Sequence, residues 1–531
     1  LLFYTLISGT LFYAFYKWAT TNREYFSKRK LKHLEPRFLI GNTVGLFLKR
    51  YTPDEFFDYL YHRFPNEKLI GLFDMCDPIY FTRDIDFIRQ ITIKDFDCFE
   101  DHDTFIDGDS DTLFGNSLFL MSENKWRDMR ATLSPAFTGS KMRYMFELVV
   151  ECANNVSNFF VGESKGIQPI RWEMNDLITR YTSDVIASCA FGLKVNSLKD
   201  RTNEFYVMGQ SSIDFNSGIT GLRVLLIRSF TKLMRVIGFE LFPANVRKFF
   251  KSITMNTIKE REMKRIFRPD MINILMQVRS GNLKQQQDES GNDDAGFATA
   301  EESQIGKRQV KRSWTEDEII AQSFLFFVAG FDTVATIMTF MSYELSIHQG
   351  IQQKLFEEIR GVNRNLNGAR LSYGDLSKLK YLDQVISEAL RKWSPIFTNR
   401  KCTKDYECEL DGNKFIIERG RTIWIPIYSI HYDSKYFQSP KTFDPERFND
   451  FNKHKIKPGS YMPFGMGPRN CVGSRFALME MKAFFFYLLL NFNLEPYEKT
   501  QIPVKLAKSS AAANWRSENG INLELKPRTQ V

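Results

Sequence analysis

Apolar positions recur along most of the chain with the spacing of α-helices, and strand-like runs are short and confined to two regions. These regions lie near residues 68–82 and 405–427. In the second, the Asp411-Gly412 pair stands between apolar runs and predicts a β-hairpin. The pattern therefore predicts a mainly α protein with a small β portion.

The longest helical pattern runs from Thr315 to about His348 without a proline. Thr315 and Glu318 have the spacing of a capping box, which marks a helix start. The segment is apolar on nearly all sides from Phe324 to Met341, which is typical of a buried helix. A helix of this length extends ~50 Å, enough to cross the whole molecule.

The middle of this helix reads Ala329-Gly330-Phe331-Asp332-Thr333, which places polar side chains in an apolar helix. Glycine costs ~1 kcal/mol relative to alanine there, and buried polar groups cost ~1–3 kcal/mol each when unpaired. Two interpretations stay open. Either Thr333 bonds back to the Ala329 carbonyl and kinks the helix, or a ligand lies against Gly330 with the hydroxyl and carboxylate directed at it.

The N-terminal residues 1–16 carry no charge and are mostly apolar, and a cluster of basic residues follows them from Lys17 to Lys32. A cleaved signal peptide has its basic residues before the apolar run, so this order favours a membrane anchor with the rest of the chain in the cytosol. Because ~20 residues are needed to span a bilayer, we expect the anchor to be truncated at its start.

Composition narrows the classes of partner. The chain of 531 residues has 72 Lys and Arg against 63 Asp and Glu, and no basic block interleaved with aromatic residues, so nucleic acid is not a predicted partner. The mild positive charge favours an acidic protein surface or anionic lipid. The 49 phenylalanines indicate an extensive apolar interior or pocket. Seven scattered cysteines without a CxxC pair argue against disulfides and zinc and fit a reducing compartment.

Two further segments have structural interpretations. Residues 282–313 are rich in Gln, Asp, Gly, Ser and Lys and predict a long flexible surface loop. Glu388 and Arg391 lie three positions apart, on one face of a helix, and Arg447 follows in a proline-led segment. We expect these three side chains to form an ionic network that supports the fold.

The stretch PFGMGPRNCVGSRFALME, residues 463–480, holds a lone cysteine, Cys471, among glycines and an arginine. An apolar helix is predicted from Ser474 to about Asn491, so Cys471 precedes a helix N-terminus, which stabilises a thiolate, as does the nearby Arg469. A thiolate in a dry, glycine-lined pocket suits haem iron. The alternatives are an inert buried cysteine and a nucleophile, although the nearest histidine in sequence is His454.

The stretch FGMGPRNCVG resembles the haem-binding signature of the cytochrome P450 family. The signature residues are Phe464, Gly465, Gly467, Arg469, Cys471 and Gly473. Other landmarks follow the family's order along the chain: Trp126 with Arg130, Ala329 to Thr333, Glu388 with Arg391, and Pro445 to Phe448. The stretches DMRATLSPAFTGSKM and AQSFLFFVAGFDTVAT are similar to insect microsomal members that metabolise xenobiotics.

The resemblance implies a cytochrome P450 fold preceded by an N-terminal membrane-anchor helix. The implied domains are an anchor at 1–20, a basic linker with a proline hinge at 21–45, and a haem-thiolate catalytic domain at 46–527. The implied cofactor is haem b, with Cys471 as its iron ligand.

The implied site residues fall into three groups. On the thiolate side, Phe464, Gly465 and Gly473 surround the sulfur. Trp126, Arg130 and Arg469 hold the haem propionates. His102 stands where many relatives have an arginine, so its contact with the haem is left open. On the opposite side, Ala329 and Gly330 leave room for dioxygen, and Thr333 with Asp332 organises the water that delivers protons.

The implied function is a monooxygenase of the endoplasmic reticulum membrane, with its catalytic domain on the cytosolic face. It would insert one oxygen atom from O2 into lipophilic small molecules such as insecticides and plant toxins. Electrons would come from NADPH through NADPH–cytochrome P450 reductase, with cytochrome b5 as a further candidate partner. Oxidation of an endogenous hormone, lipid or pheromone, a reductase-independent rearrangement, and a non-catalytic haem binder are the alternatives.

Two sets of residues are expected to contact substrate and reductase. By analogy, substrate meets residues 101–119, 204–250, 393–398 and 509–514 and the central helix. Basic residues near the thiolate side are either docking contacts or ordinary solvated surface, namely Lys125, Arg127, Lys141, Lys457 and Arg475.

Overall fold

The computed structural model describes the chain except for 1–3, 5–8, 11–12, 14–15, 18–19, 105, 107–110, 166, 214–222, 224–225, 228–230, 269, 280–295, 301–304, 306–311, 509–514 and 529–531. Most of the predicted anchor at 1–20 and of the predicted loop at 282–313 therefore lies outside the described residues. So does the whole of the expected substrate segment 509–514.

The described residues are mainly helical. The helices are α1 (Tyr25–Lys28), α2 (Val44–Phe47), α3 (Pro53–Arg63), α4 (Ile85–Arg89), α5 (Glu123–Leu133), α6 (Gly139–Glu163), α7 (Met174–Phe191), α8 (Glu204–Ile213), α9 (Thr231–Val236), α10 (Ala244–Lys264), α11 (Met271–Arg279), α12 (Glu316–Ile347), α13 (Gln349–Leu366), α14 (Lys380–Lys392), α15 (Ile427–His431) and α16 (Ser474–Asn491). The strands are β1 (Leu69–Asp74), β2 (Asp77–Thr82), β3 (Ile170–Glu173), β4 (Thr398–Lys401), β5 (Tyr406–Leu410), β6 (Asn413–Ile417), β7 (Thr422–Ile425), β8 (Phe492–Glu495) and β9 (Asn522–Pro527).

The predicted central helix is confirmed as α12. Thr315 is its N-cap, where its hydroxyl accepts a hydrogen bond from the Glu318 amide, and the Glu318 side chain completes the capping box. Its length and composition would also allow it to cross a membrane, but 67% of its most apolar 18-residue stretch is buried inside the protein. α12 is therefore the core helix of the fold.

The central helix α12 and three other helices, α6, α7 and α16, form one packing unit. Helix α12 runs along α7 and touches α16, while α6 packs against both α7 and α16. The predicted start of α16 at Ser474 and its end at Asn491 are confirmed. This bundle fixes the two elements that flank the candidate site, because Cys471 directly precedes α16 and the Ala329–Thr333 motif lies in α12.

The sheets are small, as predicted. One has the strand order β1-β2-β7-β4, a second β3-β9-β8, and β5 pairs with β6. The predicted hairpin is confirmed: Leu410 pairs with Asn413 across Asp411 and Gly412, both of which have positive φ. The strands β3, β4, β8 and β9 lie outside the two predicted regions and were not predicted, because their pairing partners are not adjacent in sequence.

Residues 21–45, the predicted linker, pack against the first sheet. Phe26 is fully buried, with its ring 5.3 Å from both Phe73 and Tyr80. A side chain on Gly71 would overlap the Phe26 ring at 2.3 Å, so a glycine is required there. Within the predicted loop 282–313, residues 296–300 are likewise packed against the domain.

Glu388, Arg391 and Arg447 form the expected network. Glu388 and Arg391 are both fully buried, and Arg391 donates two hydrogen bonds to the carboxylate at 2.7 and 2.8 Å. Arg447 lies 3.5 Å from the same carboxylate. Arg391 also donates to the backbone carbonyls of His431 and Pro440, so the network joins α14 to the end of α15 and to the segment that follows it.

We expect Glu388→Gln to lower the free energy of unfolding by about 3–5 kcal/mol, because it leaves the buried Arg391 guanidinium without its counterion. Urea titration followed by circular dichroism measures the change. Glu409→Gln is the matched control, since its pair with Lys414 is exposed and worth less than about 1 kcal/mol. Equal effects of the two substitutions would show that the network does not support the fold.

Candidate active site

The backbone of residues 463–473 folds into a tight loop that presents Cys471. The Cys471 amide donates to the Phe464 carbonyl at 2.9 Å, and Gly465 and Gly467 both have positive φ. A Cβ on Gly467 would lie 1.8 Å from the Thr92 carbonyl oxygen, so only glycine fits between the loop and that segment.

Cys471 is accessible although its surroundings are buried. Its neighbours Asn470 and Ser474 are only 5% and 3% exposed, whereas the cysteine itself is exposed. Burial within the protein raises the pKa of the Cys471 thiol, while the Gly473 amide and the Arg130 cation oppose that rise. A metal cation bound to the sulfur would act in the same direction as these two groups.

The two predicted arginines hold the loop from opposite sides. Arg130 donates to the backbone carbonyl and the side chain of Asn470 at 2.7 and 2.8 Å. Arg469 donates to the carbonyls of Glu100 and Met121 and lies 3.3 Å from Asp101. The cation next to Cys471 is thus Arg130 rather than the expected Arg469.

Burial lowers the pKa of Arg469 to about 9, with Asp101 opposing the change. The Arg469 guanidinium stacks 4.1 Å from the centre of the Trp126 ring, and Trp126 is 1% exposed. Trp126 therefore contacts the signature loop through this stacked pair.

A third arginine, Arg400 on β4, joins this cluster and was not predicted from the sequence. It is 1% exposed and donates to the Asn399 and Met466 carbonyls at 2.8 and 3.3 Å. No carboxylate of the described residues lies within ion-pair distance of it, and burial lowers its pKa to about 10.

His102 lies beside Arg400. Its Nδ1 is 3.1 Å from the Asn399 carbonyl oxygen, which it meets as a donor, and its ring stacks on Phe119 at 5.1 Å. Burial first, and the nearby Arg400 and Arg469 next, lower the pKa of His102 well below its usual value. The imidazole is therefore neutral and adds no further positive charge to the cluster.

These residues fit haem b. Three arginines meet at the signature loop, and Arg400 among them has no carboxylate partner within the described part of the chain, so an anionic group is the natural complement. Haem carries two propionate carboxylates, and Cys471 offers its sulfur to the iron. Arg130, Arg400 and Arg469 would hold the propionates, and Cys471 would bind the iron.

The middle of α12 opens on one face only. Ala329 and Thr333 are exposed, although the helix around them is buried. The Thr333 hydroxyl donates to the Ala329 carbonyl at 2.5 Å, which is the first of the two interpretations of this motif. Both residues nevertheless lie on the accessible face. A ligand can therefore contact α12 at Ala329 and Thr333, as the second interpretation requires.

Gly330 packs against α7. A Cβ on Gly330 would lie 2.4 Å from Cδ1 of Ile186 on α7, so the missing side chain leaves room for the Ile186 side chain. Gly330 is turned ~100° from Ala329 and is half-buried, whereas Ala329 and Thr333 are exposed. The expected role of Gly330 in leaving room for dioxygen stays a prediction.

Asp332 also faces a different direction from Thr333. Its carboxylate forms an ion pair with Arg516, a residue that the sequence did not single out. Arg516 donates in addition to the Thr336 hydroxyl at 3.0 Å. A cavity of about 130 Å³ adjoins this pair and is lined by Thr336, Thr339 and Arg516, among others. The ion pair with Arg516 thus fixes the Asp332 carboxylate on a face of α12 that adjoins the face carrying Thr333.

The comparison with known proteins decides the family. The sequence model of the family described as Cytochrome P450 matches residues 33–521. The chain belongs to the cytochrome P450 family.

Insect members are among its relatives. It is 41% identical to "Probable cytochrome P450 9f2" of Drosophila melanogaster, an alignment that covers 93% of this chain and 94% of the relative. It is 39% identical to "Cytochrome P450 9e2" of Blattella germanica, over 96% of this chain and 95% of the relative. "Cytochrome P450 6k1" of Blattella germanica is 31% identical over 95% and 94%. The predicted similarity to insect P450s is confirmed, and membership implies a haem-thiolate cofactor.

We expect Arg400→Ala to speed the loss of haem about 10-fold, because it removes a buried cation that would pair with a propionate. Transfer of haem from the holoprotein to excess apomyoglobin measures the rate. Arg419→Ala is the control, since Arg419 is 71% exposed. Unchanged haem transfer in Arg400→Ala would contradict a role for Arg400 in holding the cofactor.

We expect Arg516→Met to lower the free energy of unfolding by about 2–4 kcal/mol, because Asp332 is 10% exposed and loses its ion pair. Arg516→Lys should retain most of the stability. Urea titration compares these variants with Lys505→Met, which removes an exposed cation from the same segment. A loss no larger than that of the control would show that the Asp332–Arg516 pair does not stabilise α12.

Proposed function

We propose that this P450 is a membrane-bound monooxygenase that oxidises lipophilic xenobiotics, including insecticides and plant toxins, with electrons from NADPH through NADPH–cytochrome P450 reductase. The observation that carries the proposal is a pair of accessible sites in an otherwise buried core. Cys471 is accessible just before α16, and Ala329 and Thr333 are accessible in the middle of α12, although the residues around both sites are buried.

When bound, haem b supplies the iron at which dioxygen is activated. The chain's own contribution on the thiolate side is to hold the sulfur in place. The Gly473 amide and Arg130 favour its thiolate form, and Phe464 packs against the hydrophobic core on the same side. Buried donors around the loop keep this geometry fixed before the cofactor reacts.

On the opposite side, the residues of α12 would hold and move protons. The Thr333 hydroxyl is accessible and its hydrogen is directed at the Ala329 carbonyl, so its oxygen can accept a hydrogen bond from water. The Asp332 carboxylate, held by Arg516, belongs to the residue next to Thr333 in sequence. We propose that a water-linked path joins the cavity beside Arg516 to Thr333.

The walls of the site favour an apolar substrate. Phe114, Phe242 and Phe324 form a ring cluster with centroid separations of 4.9 to 6.1 Å. Buried Asp111 holds two of these wall segments together, because it accepts hydrogen bonds from the amides of Phe114 and Leu241. Phe119 stays 50% exposed next to His102. Phe242 and Phe324 are 3% and 0% exposed and form the buried backing of these segments, whereas Phe119 offers exposed apolar surface that a lipophilic molecule can cover.

Location and electron supply belong to the same proposal. The apolar N-terminal run followed by basic residues supports an anchor in the endoplasmic reticulum membrane, with the catalytic domain in the cytosol. Of the basic residues considered for reductase docking, Lys125 is paired with Glu318, and Arg127 with Asp97 and Glu100. Lys141 and Arg475 are further candidates, and cytochrome b5 would use the same face.

Two other functions use the same haem site. An endogenous hormone, lipid or pheromone would enter the same apolar chamber, whereas a rearrangement of a peroxide would need neither NADPH nor reductase. Accessible Thr333 beside paired Asp332 supports the oxygen-activating alternative, because a rearrangement requires no proton delivery. A non-catalytic haem binder would need neither residue.

The first test is the carbon monoxide difference spectrum of the dithionite-reduced protein. We expect a strongly red-shifted Soret band in the wild type and its complete loss in Cys471→Ala, because the thiolate ligand is removed. Cys402→Ala is the matched control, since Cys402 is buried between β4 and β5, where its thiol donates to the Lys404 and Ile417 carbonyls, and the variant should keep the band. An unchanged band in Cys471→Ala would sink the assignment of the iron ligand.

The second test is turnover of a panel of insecticides, plant toxins and endogenous lipids by the anchored protein in vesicles. We expect product only when NADPH and reductase are both present, and faster oxidation of the foreign compounds. Product formed without NADPH would favour the rearrangement. Exclusive oxidation of an endogenous compound would replace the proposed substrate class.

A further inference from the structure

A short part of the polar loop between α11 and α12 packs onto the face of the protein beside Cys471. We call residues 296–300 the docked segment; they are described, whereas 280–295 and most of 301–311 are not. The Phe297 ring lies 5.1 Å from that of Phe448 and 5.5 Å from that of Tyr461. Ala298 is 5% exposed, so the segment makes a true packing contact.

The backbone of the docked segment fits its groove closely. The Phe297 amide donates to the Asp383 carboxylate at 2.9 Å, and Asp383 also pairs with the buried Lys482 at 3.1 Å. Gly296 has φ +142°, and a Cβ there would lie 1.8 Å from the Asp383 carboxylate. The Ala300 amide donates to the Ser474 hydroxyl at 3.3 Å. Only glycine is accommodated at position 296.

The groove adjoins the loop that carries the predicted iron ligand. Ser474 begins α16, immediately beyond the Cys471 loop. Where the chain is described again, Arg312 forms an ion pair at 3.4 Å with Asp128 of α5, the helix whose Arg130 binds Asn470 of the same loop. The docked segment and Arg312 therefore both contact elements that flank Cys471.

This is also the face where an electron-donor protein would dock. Electron transfer between proteins falls steeply with distance, so a donor approaches the side nearest the cofactor. Beyond Phe448 the chain carries Lys453, Lys455 and Lys457. Lys453 pairs with Asp450 at 2.6 Å and Lys457 with Asp86 at 3.9 Å, whereas Lys455 donates to the Asn452 side chain and keeps a charge that an acidic protein surface can attract. The docked segment covers part of this approach.

We propose that the docked segment is an intramolecular competitor of the electron-donor protein. It covers the groove formed by Asp383, Phe448, Tyr461 and Ser474. A donor protein with an acidic surface can bind this face when the docked segment leaves the groove. The inference rests on the proposed function, because it assumes a separate donor protein. Competition lowers the apparent affinity for the donor by the fraction of molecules whose groove is open.

The test compares two pairs of variants by titrating holoprotein with the flavoprotein reductase and measuring the Kd. Gly296→Ala places a methyl against Asp383, and we expect a Kd about 5-fold lower than that of the wild type. Its control is Gly361→Ala in α13, where an added Cβ meets nothing within 4 Å. Phe297→Ala should lower the Kd likewise, and Phe267→Ala, which removes a 69% exposed ring, should not.

A second measurement follows the docked segment itself in the wild type. We expect faster hydrogen exchange of the Phe297 and Ala298 amides when excess reductase is bound, because the segment has left its groove. Slower or unchanged exchange would overturn the proposal, as would an unchanged or higher Kd in both Gly296→Ala and Phe297→Ala. All variants are first checked for the wild-type carbon monoxide spectrum.

The outcomes separate this inference from the proposed function. If reductase binds the wild type tightly but neither Gly296→Ala nor Phe297→Ala lowers the Kd, the docked segment does not compete with the reductase and the monooxygenase proposal stands. If the carbon monoxide spectrum is normal but reductase binds neither the wild type nor any variant, the proposed electron source is wrong and the competitor falls with it.

Discussion

The burial of positive charge around the signature loop is the constraint on which the site depends. Arg130 and Arg400 donate to the backbone of this loop, and Arg469, which belongs to it, donates to the segments beneath. Burial lowers the pKa of Arg400 to about 10 and of Arg469 to about 9, which shows how costly these cations are. Asp101 offsets this cost for Arg469 alone. Two propionates would offset more of it, so cofactor binding and stability of the Cys471 loop are expected to be coupled.

Helix geometry determines what each motif residue of α12 contacts. Its consecutive motif residues point in different directions because each residue is turned ~100° from the last. Ala329 and Thr333 share the open face, Gly330 admits Ile186 of α7, and Asp332 meets Arg516. One short motif therefore supplies a ligand face, a helix-packing contact and an ion pair. Each of these needs a different neighbour, and a change at one position leaves the other two faces in place.

The sequence was sufficient wherever the physics is local. The capping box at Thr315, the hairpin at Asp411-Gly412 and the start of α16 at Ser474 each depend on residues within a few positions of one another. The Glu388 network was also predictable, because a buried carboxylate must be paired. For the candidate site, the local sequence pointed to Cys471 and Arg469, whereas Arg130 entered only through the family resemblance.

The remaining features depend on contacts that cross the chain. Arg400 reaches the loop from β4, and Arg516 reaches Asp332 across 184 positions, so no sequence window contains both partners. The packing of Ile186 against Gly330 was not predicted for the same reason, since no residue near Gly330 in sequence indicates this contact. Composition alone would class residues 282–313 as a loop without structure, yet one phenylalanine after a glycine is enough to dock a segment.

The strength of that docking differs in kind from the rest of the fold. The Glu388–Arg391 pair is fully buried and doubly hydrogen-bonded, and breaking it would leave a charge without a partner in the interior. The docked segment instead leaves Phe297 37% exposed, and its release returns backbone amides and one aromatic ring to water, where both are tolerated. A contact of this size can open and close without disturbing the core. A segment that a donor protein displaces at each encounter must be held weakly. The docked segment meets this requirement, although it lies beside a rigid, charged loop.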